Sequence, residues 1–536
     1  MRDFHQPGRS PVAALNGMAA TSQPAATLAA VEVLRTGGNA IDAAVAACAV
    51  LSVVEPQSTG IGGDCFVLYA PGPGGPGGNG GGEVIAYNGS GRAPAAAEAG
   101  WFADNGISEI DFQSPHAVTV PGAIDAWTRL VADHGTMDFA ALLAPAIGYA
   151  EDGYVVHPRV AHDWAGCVDK LAACEASARI FLPGGTAPGA GAVHRQPELA
   201  ETLRTIAQEG RDGFYQGRVA ADIVGMLRAR GGLHTPDDFA AAAGEYVTPI
   251  HTDYRGVEVY ECPPNGQGLV ALLMLNLLSG FDMAGFDPLG VERLHLEVVA
   301  GRLAFRDRDA LLADPDMADV PVERLLSADY ADELRAFISP ERALGNMPPA
   351  GLPAHQDTVY LCVVDKDRNA VSFINSLFHG FGSGLTSPET GVMLQNRGAG
   401  FVLAPGHPNC IAPGKRPLHT IIPGLALEDG RVVMPFGVMG GDYQPFGHAH
   451  FLSNLIDYGM DVQAALDCPR VFRYGEVLEA ERGIGDEVAA GLAALGHDVQ
   501  TVESPHGGGQ AIRIDWERGT LTGGSDPRKD GCALGY

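Results

Sequence analysis

Lysine, and positive charge in general, is scarce in this chain of 536 residues. Acidic residues number 64 against 35 basic ones, and the net charge is −29. The lysines are Lys170, Lys366, Lys415 and Lys529. No stretch concentrates basic side chains. Because nucleic acids and anionic membranes are bound through clustered positive charge, we expect neither as a partner.

Paired cysteines and long apolar runs are lacking as well. The 9 cysteines are widely spread and none forms a Cys-x-x-Cys pair, so we expect neither a disulfide framework nor a zinc site. No apolar run approaches the ~20 residues of a membrane span. Residues 1–8 contain no apolar core of a signal peptide. We therefore expect a cytoplasmic protein that does not associate with membranes.

The histidines do not follow the spacing of a metal site. His407, His419, His448 and His450 fall in one region, but they lack the His-Glu-x-x-His pattern of helical zinc ligands. Histidines of loops or of the core explain these positions better. We expect neither a metal nor a cofactor.

A large apolar fraction is distributed over alternating helices and strands. Hydrophobic residues make up 46% of the chain, which allows a large core, and the length suggests two domains or one interwoven unit. The predicted segments near the start are helices over 25–35 and 39–53, strands over 65–69 and 83–88, and a loop rich in glycine and proline over 71–82.

One stretch combines an exposed linker with the start of a strand. Residues 346–356 are polar and rich in proline and glycine, and an apolar strand is predicted over 359–364. A threonine hydroxyl needs a base to become a good nucleophile, and the freed amine of an N-terminal threonine is such a base. We hypothesise that the chain cuts itself between Asp357 and Thr358, which makes Thr358 the nucleophile. An ordinary buried strand headed by threonine has the same local pattern.

The strand after Thr358 is predicted to form a hairpin. A polar turn follows it, and a second strand is predicted over 370–376. If Asp365 faces Asn369 across the turn, Ser376 lies opposite Thr358. The Ser376 hydroxyl could then hydrogen-bond the Thr358 amine. An ordinary Ser/Thr cross-strand pair would have the same arrangement.

Two further features could bind a substrate. Gly440 and Gly441 follow a predicted strand over 432–435, and a Gly-Gly pair can present two backbone N–H groups to one point, as an oxyanion hole requires. Such a pair more often marks a turn. Arg92 lies in a glycine-flanked loop after a strand, where it is either a ligand for an anion or a solvated side chain.

The joint pattern resembles the gamma-glutamyltransferase family of N-terminal nucleophile hydrolases. The likeness extends over nearly the whole chain. The motifs that carry it, in order, are Gly37-Gly38-Asn39-Ala40-Ile41-Asp42-Ala43-Ala44, Val54-Glu55-Pro56, Gly60-Ile61-Gly62-Gly63, Val120-Pro121-Gly122, Tyr254-Arg255-Gly256, Asp314-Pro315, Lys415-Arg416-Pro417-Leu418, Gly440-Gly441 and Ser525-Asp526-Pro527-Arg528-Lys529-Asp530-Gly531.

The resemblance implies a mixed α/β fold, a four-layer αββα sandwich. It implies self-cleavage before Thr358 into a large chain of residues 1–357 and a small chain of residues 358–536, interwoven in one fold as a heterodimer whose further dimerisation is open. In this family pattern Thr358 is the nucleophile, Ser376 the assisting hydroxyl residue, and Gly440 with Gly441 the oxyanion pair.

The residues that hold glutamate in the family are largely changed. Ser90 stands at the place of the glutamyl-binding arginine, and Arg92 follows two residues later. Phe378 replaces an asparagine, and Gly400 replaces the aspartate that binds the amine. A Ser-Ser pair becomes His419-Thr420.

An anion site could be restored by other residues. The candidates for substrate binding are Arg92, Arg397, His419 and Thr420. The motifs Gly380-Phe381-Gly382-Ser383-Gly384 and Gln395-Asn396-Arg397-Gly398 look more like the branches similar to cephalosporin acylases and oxamate amidohydrolases.

The function expected is that of a self-processing amide hydrolase or acyltransferase. Its substrate would be a small-molecule amide that is not strictly gamma-glutamyl. One alternative is a true gamma-glutamyltransferase or glutathione hydrolase. Another is an unprocessed, non-catalytic homologue that acts as a binding protein.

Overall fold

The computed structural model of the protein describes residues 8–73, 82–345 and 358–536. Its strands are β1 Val12–Ala14, β2 Met18–Thr21, β3 Asp64–Ala70, β4 Ile85–Gly89, β5 Tyr154–Val155, β6 Val193–His194, β7 Glu245–Val247, β8 Ile250–Tyr254, β9 Val257–Glu261, β10 Val359–Val364, β11 Ala370–Ser376, β12 Gly424–Glu428, β13 Arg431–Met439, β14 Val471–Tyr474, β15 Val477–Ala480, β16 Asp498–Thr501, β17 Gly508–Asp515, β18 Thr520–Ser525 and β19 Cys532–Gly535.

The helices in the same ranges are α1 Pro24–Arg35, α2 Ala40–Val54, α3 Ala99–Asp104, α4 Ala123–His134, α5 Phe139–Asp152, α6 Pro158–Ala165, α7 Val168–Ala172, α8 Glu175–Phe181, α9 Pro197–Glu209, α10 Asp212–Tyr215, α11 Gly217–Ala229, α12 Pro236–Ala240, α13 Gly268–Leu278, α14 Val291–Leu311, α15 Val322–Leu325, α16 Ala328–Arg335, α17 Gln444–Ile456, α18 Val462–Asp467 and α19 Asp486–Ala494. Within the described ranges, no helix combines the length and the apolar character that a membrane span requires.

Two large sheets lie face to face at the centre of the fold. One has the strand order β1-β18-β17-β13-β12-β9-β8, and the other has the order β19-β2-β10-β11-β3-β4-β7. One apolar core fills the space between them, a second packs α1, α2, α4 and α5 on the outer face of the second sheet, and a third packs α13, α14 and α17 on the first. The expected four-layer αββα architecture is confirmed.

The alternation of side chains along β10 shows how one strand serves two cores. Val359, Leu361 and Val363 point to the helical layer, whereas Tyr360 and Cys362 point to the space between the sheets. Successive side chains of a strand face opposite sides. A strand that is buried on both faces therefore reads as a continuous apolar run.

The predicted hairpin is observed with the predicted register. β10 and β11 pair antiparallel from Val359 opposite Asn375 to Val364 opposite Ala370. The Asp365 carboxylate accepts hydrogen bonds from the Asn369 amide and from the N–H of Ala40 at the start of α2. The turn is thus anchored to the helical layer, and the register places Ser376 beside Thr358.

The early helices also form as predicted, within a residue or two. Asn39 caps α2, and its side chain and that of Asp42 each accept from the other's backbone N–H. All of α2 is buried, because small alanines let it pack between the sheet and its neighbouring helices. The loop predicted over 71–82, the linker over 346–356 and Asp357 fall wholly or largely outside the described residues.

Candidate active site

Thr358 and Ser376 meet at the open end of the β10–β11 hairpin. The Thr358 Oγ1 lies 3.2 Å from the Ser376 Oγ, and both residues are buried. The Ser376 Oγ also accepts the Phe378 N–H at 2.8 Å. This is the juxtaposition that the register predicts. The Asp357 side of the peptide bond before Thr358 falls outside the described residues.

Arg397 is a buried cation beside this pair. Its Nη1 donates to the Thr420 Oγ1 at 2.7 Å, its Nη2 donates to the Ser376 Oγ at 3.3 Å, and the guanidinium lies 4.0 Å from the centre of the Phe378 ring. The described residues provide no carboxylate within ion-pairing distance and no acceptor for the buried Nε. Among the described residues, Arg397 therefore has hydroxyl partners but no carboxylate partner.

Burial sets the electrostatics of Arg397. Desolvation lowers the pKa of Arg397 to about 9, although Asp64 and Asp442 act in the opposite direction. The guanidinium remains charged at neutral pH, in a site where charge is costly. An anion that reached this site would gain a strong, oriented partner.

Asp64 supports the opposite side of the site. It begins β3 directly across from Ser376, and it is fully buried. Its carboxylate accepts the Gly122 N–H at 3.0 Å and the Gln395 Nε2 at 2.9 Å, and it lies 3.1 Å from the His419 Nε2. Asp64 is thus engaged by protein donors.

His419 serves the framework of the site. Burial, with Arg397 as the second cause, lowers the pKa of His419 to about 4, so the ring is neutral at pH 7. A neutral ring that donates from Nε2 to Asp64 has Nδ1 as acceptor, and the Ile421 N–H lies 3.4 Å from that atom. Of the predicted pair, Thr420 accepts a hydrogen bond from Arg397, whereas His419 is hydrogen-bonded to Asp64.

Gly440 and Gly441 form a turn at the end of β13. Their φ angles are 124° and 57°, which favour glycine, and a Cβ on Gly440 would lie 3.0 Å from the Gly507 Cα. The Gly440 C=O accepts the Tyr443 N–H at 3.0 Å. Because N–H and C=O of one trans peptide point in opposite directions, the Gly441 N–H points away from Tyr443. Neither glycine N–H has an acceptor among the described residues.

Arg92 is placed in a different environment. It is one-third exposed, and it pairs with Asp316 at 3.3 Å, Asp314 at 3.6 Å and Glu245 at 3.9 Å. It also donates to the Gly414 C=O at 3.1 Å. The hydrogen bonds found for Arg92 in the described ranges do not reach the cluster around Arg397. These carboxylates already balance the charge of Arg92. Its role as a substrate ligand stays a prediction.

The four histidines considered as metal ligands have separate partners. His407 contacts the Asp309 C=O, His448 contacts Glu261 at 2.7 Å and His450 contacts Glu297 at 3.0 Å, while His419 contacts Asp64. Over the residues described, no three His, Cys, Asp or Glu side chains are grouped as metal ligands.

Two residues of the site have no counterpart among the sequence candidates. Asp64 carries a signal in the sequence, since it is a lone acidic residue between a glycine-rich turn and an apolar strand. Gln267 stands in a Pro-Pro-Asn-Gly-Gln-Gly run that reads as a plain turn. Its buried side-chain contacts depend on segments distant in the chain, so no local pattern could indicate them.

Known proteins resemble this chain over nearly its whole length. A sequence profile described as gamma-glutamyltranspeptidase matches residues 26–536. The chain is 39% identical over 513 residues to the glutathione hydrolase-like YwrD proenzyme of Bacillus subtilis, covering 94% of this chain and 95% of that protein. It is 37% identical over 536 residues to the oxamate amidohydrolase proenzyme of Klebsiella pneumoniae, covering 97% and 98%.

The fold matches a solved structure over its full length. The crystal structure of cephalosporin acylase from Bacillus halodurans superposes with a TM-score of 0.92 at 42% identity, and the match covers 100% of this chain and 99% of that one. The sequence profile, the full-length relatives and the shared fold all point the same way. The chain therefore belongs to the gamma-glutamyltranspeptidase family.

Proposed function

We propose that this chain is a self-processing amide hydrolase in which Thr358 is the nucleophile and Arg397 binds a carboxylate on the acyl part of the substrate. The observation that carries the proposal is the position of Arg397. It is a buried cation without a described carboxylate partner, one hydrogen bond away from Ser376, which itself contacts Thr358.

The nucleophile is generated by cleavage of the bond between Asp357 and Thr358. The Thr358 hydroxyl attacks the Asp357 carbonyl and forms an ester as the amide nitrogen of Thr358 leaves. Water then hydrolyses the ester and leaves Thr358 with a free amine. The products are a large chain of residues 1–357 and a small chain of residues 358–536, which stay together as a heterodimer because β10 and β11 are inner strands of a sheet built from both.

The same hydroxyl then attacks the substrate. The freed Thr358 amine accepts the hydroxyl proton as Oγ1 bonds to the substrate carbonyl carbon. Gly440 and Gly441 N–H groups stabilise the oxyanion, each such donor contributing about 2.7–4 kcal/mol. The amine part of the substrate then leaves with this proton, and an acyl ester on Thr358 remains. Water hydrolyses the ester, or an acceptor amine takes the acyl group in a transfer reaction. Ser376 holds the Thr358 side chain in this geometry.

The acidic residues near the site favour a substrate without an α-amino group. Asp64 already accepts from Gly122, Gln395 and His419, and Asp442 is paired with Arg308. An ammonium group would therefore meet Arg397 without a free carboxylate, among the residues that the structure describes, to offset the repulsion. This separates the proposal from a glutathione hydrolase, the name carried by several relatives at 30–33% identity.

A set of anilides tests the proposal. Glutaryl and gamma-glutamyl anilides differ only in the α-amino group, and pentanoyl anilide lacks the carboxylate. Oxamate adds a carboxylate-bearing amide with a very short acyl group. We expect kcat/KM for the glutaryl compound to exceed that of the pentanoyl compound by about 10- to 100-fold, the value of a charge-assisted hydrogen bond.

The outcomes separate the alternatives. Equal or faster hydrolysis of the gamma-glutamyl anilide would favour a true gamma-glutamyltransferase. A purified chain that stays uncut and hydrolyses none of these amides would favour a non-catalytic binding protein. A cytoplasmic location is also proposed, supported by nine free cysteines, and cell fractionation tests it.

A further inference from the structure

Gln267 lies next to the site, and both polar atoms of its side chain form hydrogen bonds. It is fully buried, and its Nε2 donates to the Thr420 C=O at 2.8 Å and to the Gly441 C=O at 2.9 Å. Its Oε1 accepts from the Arg308 Nη1 at 3.0 Å. Because a guanidinium only donates, the amide oxygen must face Arg308 and the amide nitrogen must face the two carbonyls. The orientation of the side chain is thus determined by its neighbours.

Arg308 is itself held in place. Its Nη1 donates to the Asp442 Oδ1 at 2.5 Å and its Nε donates to the Asp309 Oδ1 at 2.8 Å. Asp442 directly follows Gly441, so the Gly441 turn is held both at its carbonyl by Gln267 and at the next side chain by Arg308. Buried networks with every member satisfied are rigid.

The two carbonyls bound by Gln267 belong to the two functional halves of the site. Thr420 carries the hydroxyl that accepts from the Arg397 Nη1 at 2.7 Å. Gly441 belongs to the turn whose N–H groups have no acceptor in the described part of the chain. One amide nitrogen therefore ties the loop that orients Arg397 to the turn that would bind the oxyanion.

We propose that Gln267 is a positioning residue that fixes the distance between the carboxylate-binding group Arg397 and the oxyanion turn Gly440-Gly441. The inference rests on the proposed function. A substrate held by its carboxylate at one end reaches the oxyanion turn with its carbonyl only if that distance is correct. Misplacement of reacting groups by 1 Å costs about 100-fold in rate.

Two variants of Gln267 and one control test the proposal. Gln267→Met keeps the length of the side chain and removes its hydrogen bonds. Gln267→Glu keeps the shape but, once ionised, directs an oxygen at the two carbonyls. The matched control is Gln463→Met, because the buried Gln463 also makes three hydrogen bonds, to Ser525 and Asp467. Each protein is assayed with glutaryl and pentanoyl anilides, and its melting temperature is measured.

We expect Gln267→Met to lower kcat for both anilides by about 100-fold, the cost of misplaced groups. The ratio of kcat/KM for the glutaryl compound to kcat/KM for the pentanoyl compound should also fall by about tenfold, because weakening one contact by ~1.4 kcal/mol changes the ratio tenfold. Gln267→Glu should lose rate and preference in the same way, since an ionised carboxylate cannot donate to either carbonyl. Gln463→Met should lower the melting temperature and leave the preference unchanged.

Four results would overturn the inference. Gln267 variants with wild-type kcat and wild-type preference would do so. A loss of rate with an unchanged preference would reduce Gln267 to a structural role. A fall in the preference of Gln463→Met would do the same. A wild-type protein that hydrolyses neither anilide overturns the proposed function itself, and this inference with it.

Discussion

Replacement of Arg397 by methionine should cost little stability while it removes selectivity. Arg397 carries its charge in a fully buried position, and the described residues that contact its guanidinium are Phe378, Ser376 and Thr420, none of which is a carboxylate. Such a residue costs free energy of folding, which function can explain. Arg397→Met has an unbranched side chain that keeps much of the packing volume and loses the charge.

The magnitude follows from two opposing terms. Burial lowers the pKa of Arg397 from 12.5 to about 9, and at ~1.4 kcal/mol per unit this gives a desolvation cost of roughly 4–5 kcal/mol. The cost is present below the folded-state pKa, where the guanidinium is charged in both states, and it is relieved only as the pH rises above that value. The variant loses two hydrogen bonds of a charged group and a cation–π contact, together worth about 4–6 kcal/mol.

The two terms nearly cancel, so the variant is expected to melt within about 2 °C of the wild type at pH 7. Its kcat/KM for glutaryl anilide should fall by about 10- to 100-fold, and that for pentanoyl anilide should change little. Calorimetry and initial rates measure the two effects on one preparation.

Arg293→Met is the matched contrast. Arg293 is equally buried, but it pairs with Glu297 at 2.9 Å, so its removal leaves that buried carboxylate with His450 alone and should lower stability by about 3–5 kcal/mol. If Arg397→Met is also strongly destabilised and hydrolyses both anilides as the wild type does, Arg397 is a structural residue and the reasoning is refuted.

Two further predictions concern the nucleophile's neighbour and a buried acid. Ser376→Ala should lower kcat by about 10- to 100-fold through a misplaced Thr358 hydroxyl, and Ser376→Thr, which keeps a hydroxyl, should retain most activity; equal loss in both variants would argue against a role for the hydroxyl. Burial raises the pKa of Glu55 from 4.5 to about 7, so its contribution to stability is fully present below pH 4.5 and is lost as the pH rises through 7. Glu55→Gln should therefore have a higher free energy of unfolding than the wild type at pH 8, by at most ~3 kcal/mol, and no higher one near pH 5. A constant difference across this pH range would contradict the assignment.

The sequence predicts the architecture better than it predicts the polar contacts. The β10–β11 register follows from a turn at Asp365–Asn369 and from apolar runs, which are local signals, and it brings Ser376 to Thr358. The cap at Asn39 is equally local. The αββα layering follows from the family resemblance, since composition alone allows several α/β arrangements.

The contacts that could not be predicted join distant segments. Arg92 and Arg397 are equivalent candidates in the sequence, and only the fold places Arg92 among acidic side chains and Arg397 among hydroxyls. The sequence makes His419 a candidate ligand, but in the fold its ring is hydrogen-bonded to Asp64, which is 355 residues away in the chain. The choice between ligand and framework is made by tertiary neighbours.

The mass of the purified protein tests the central claim most directly. We predict that the wild-type protein consists of two polypeptides and that the smaller one begins at Thr358. Thr358→Ala should leave a single polypeptide of 55.8 kDa that does not hydrolyse glutaryl anilide. A wild-type protein that hydrolyses this compound as one uncut chain would contradict the account, as would a Thr358→Ala variant that is still cut between residues 357 and 358.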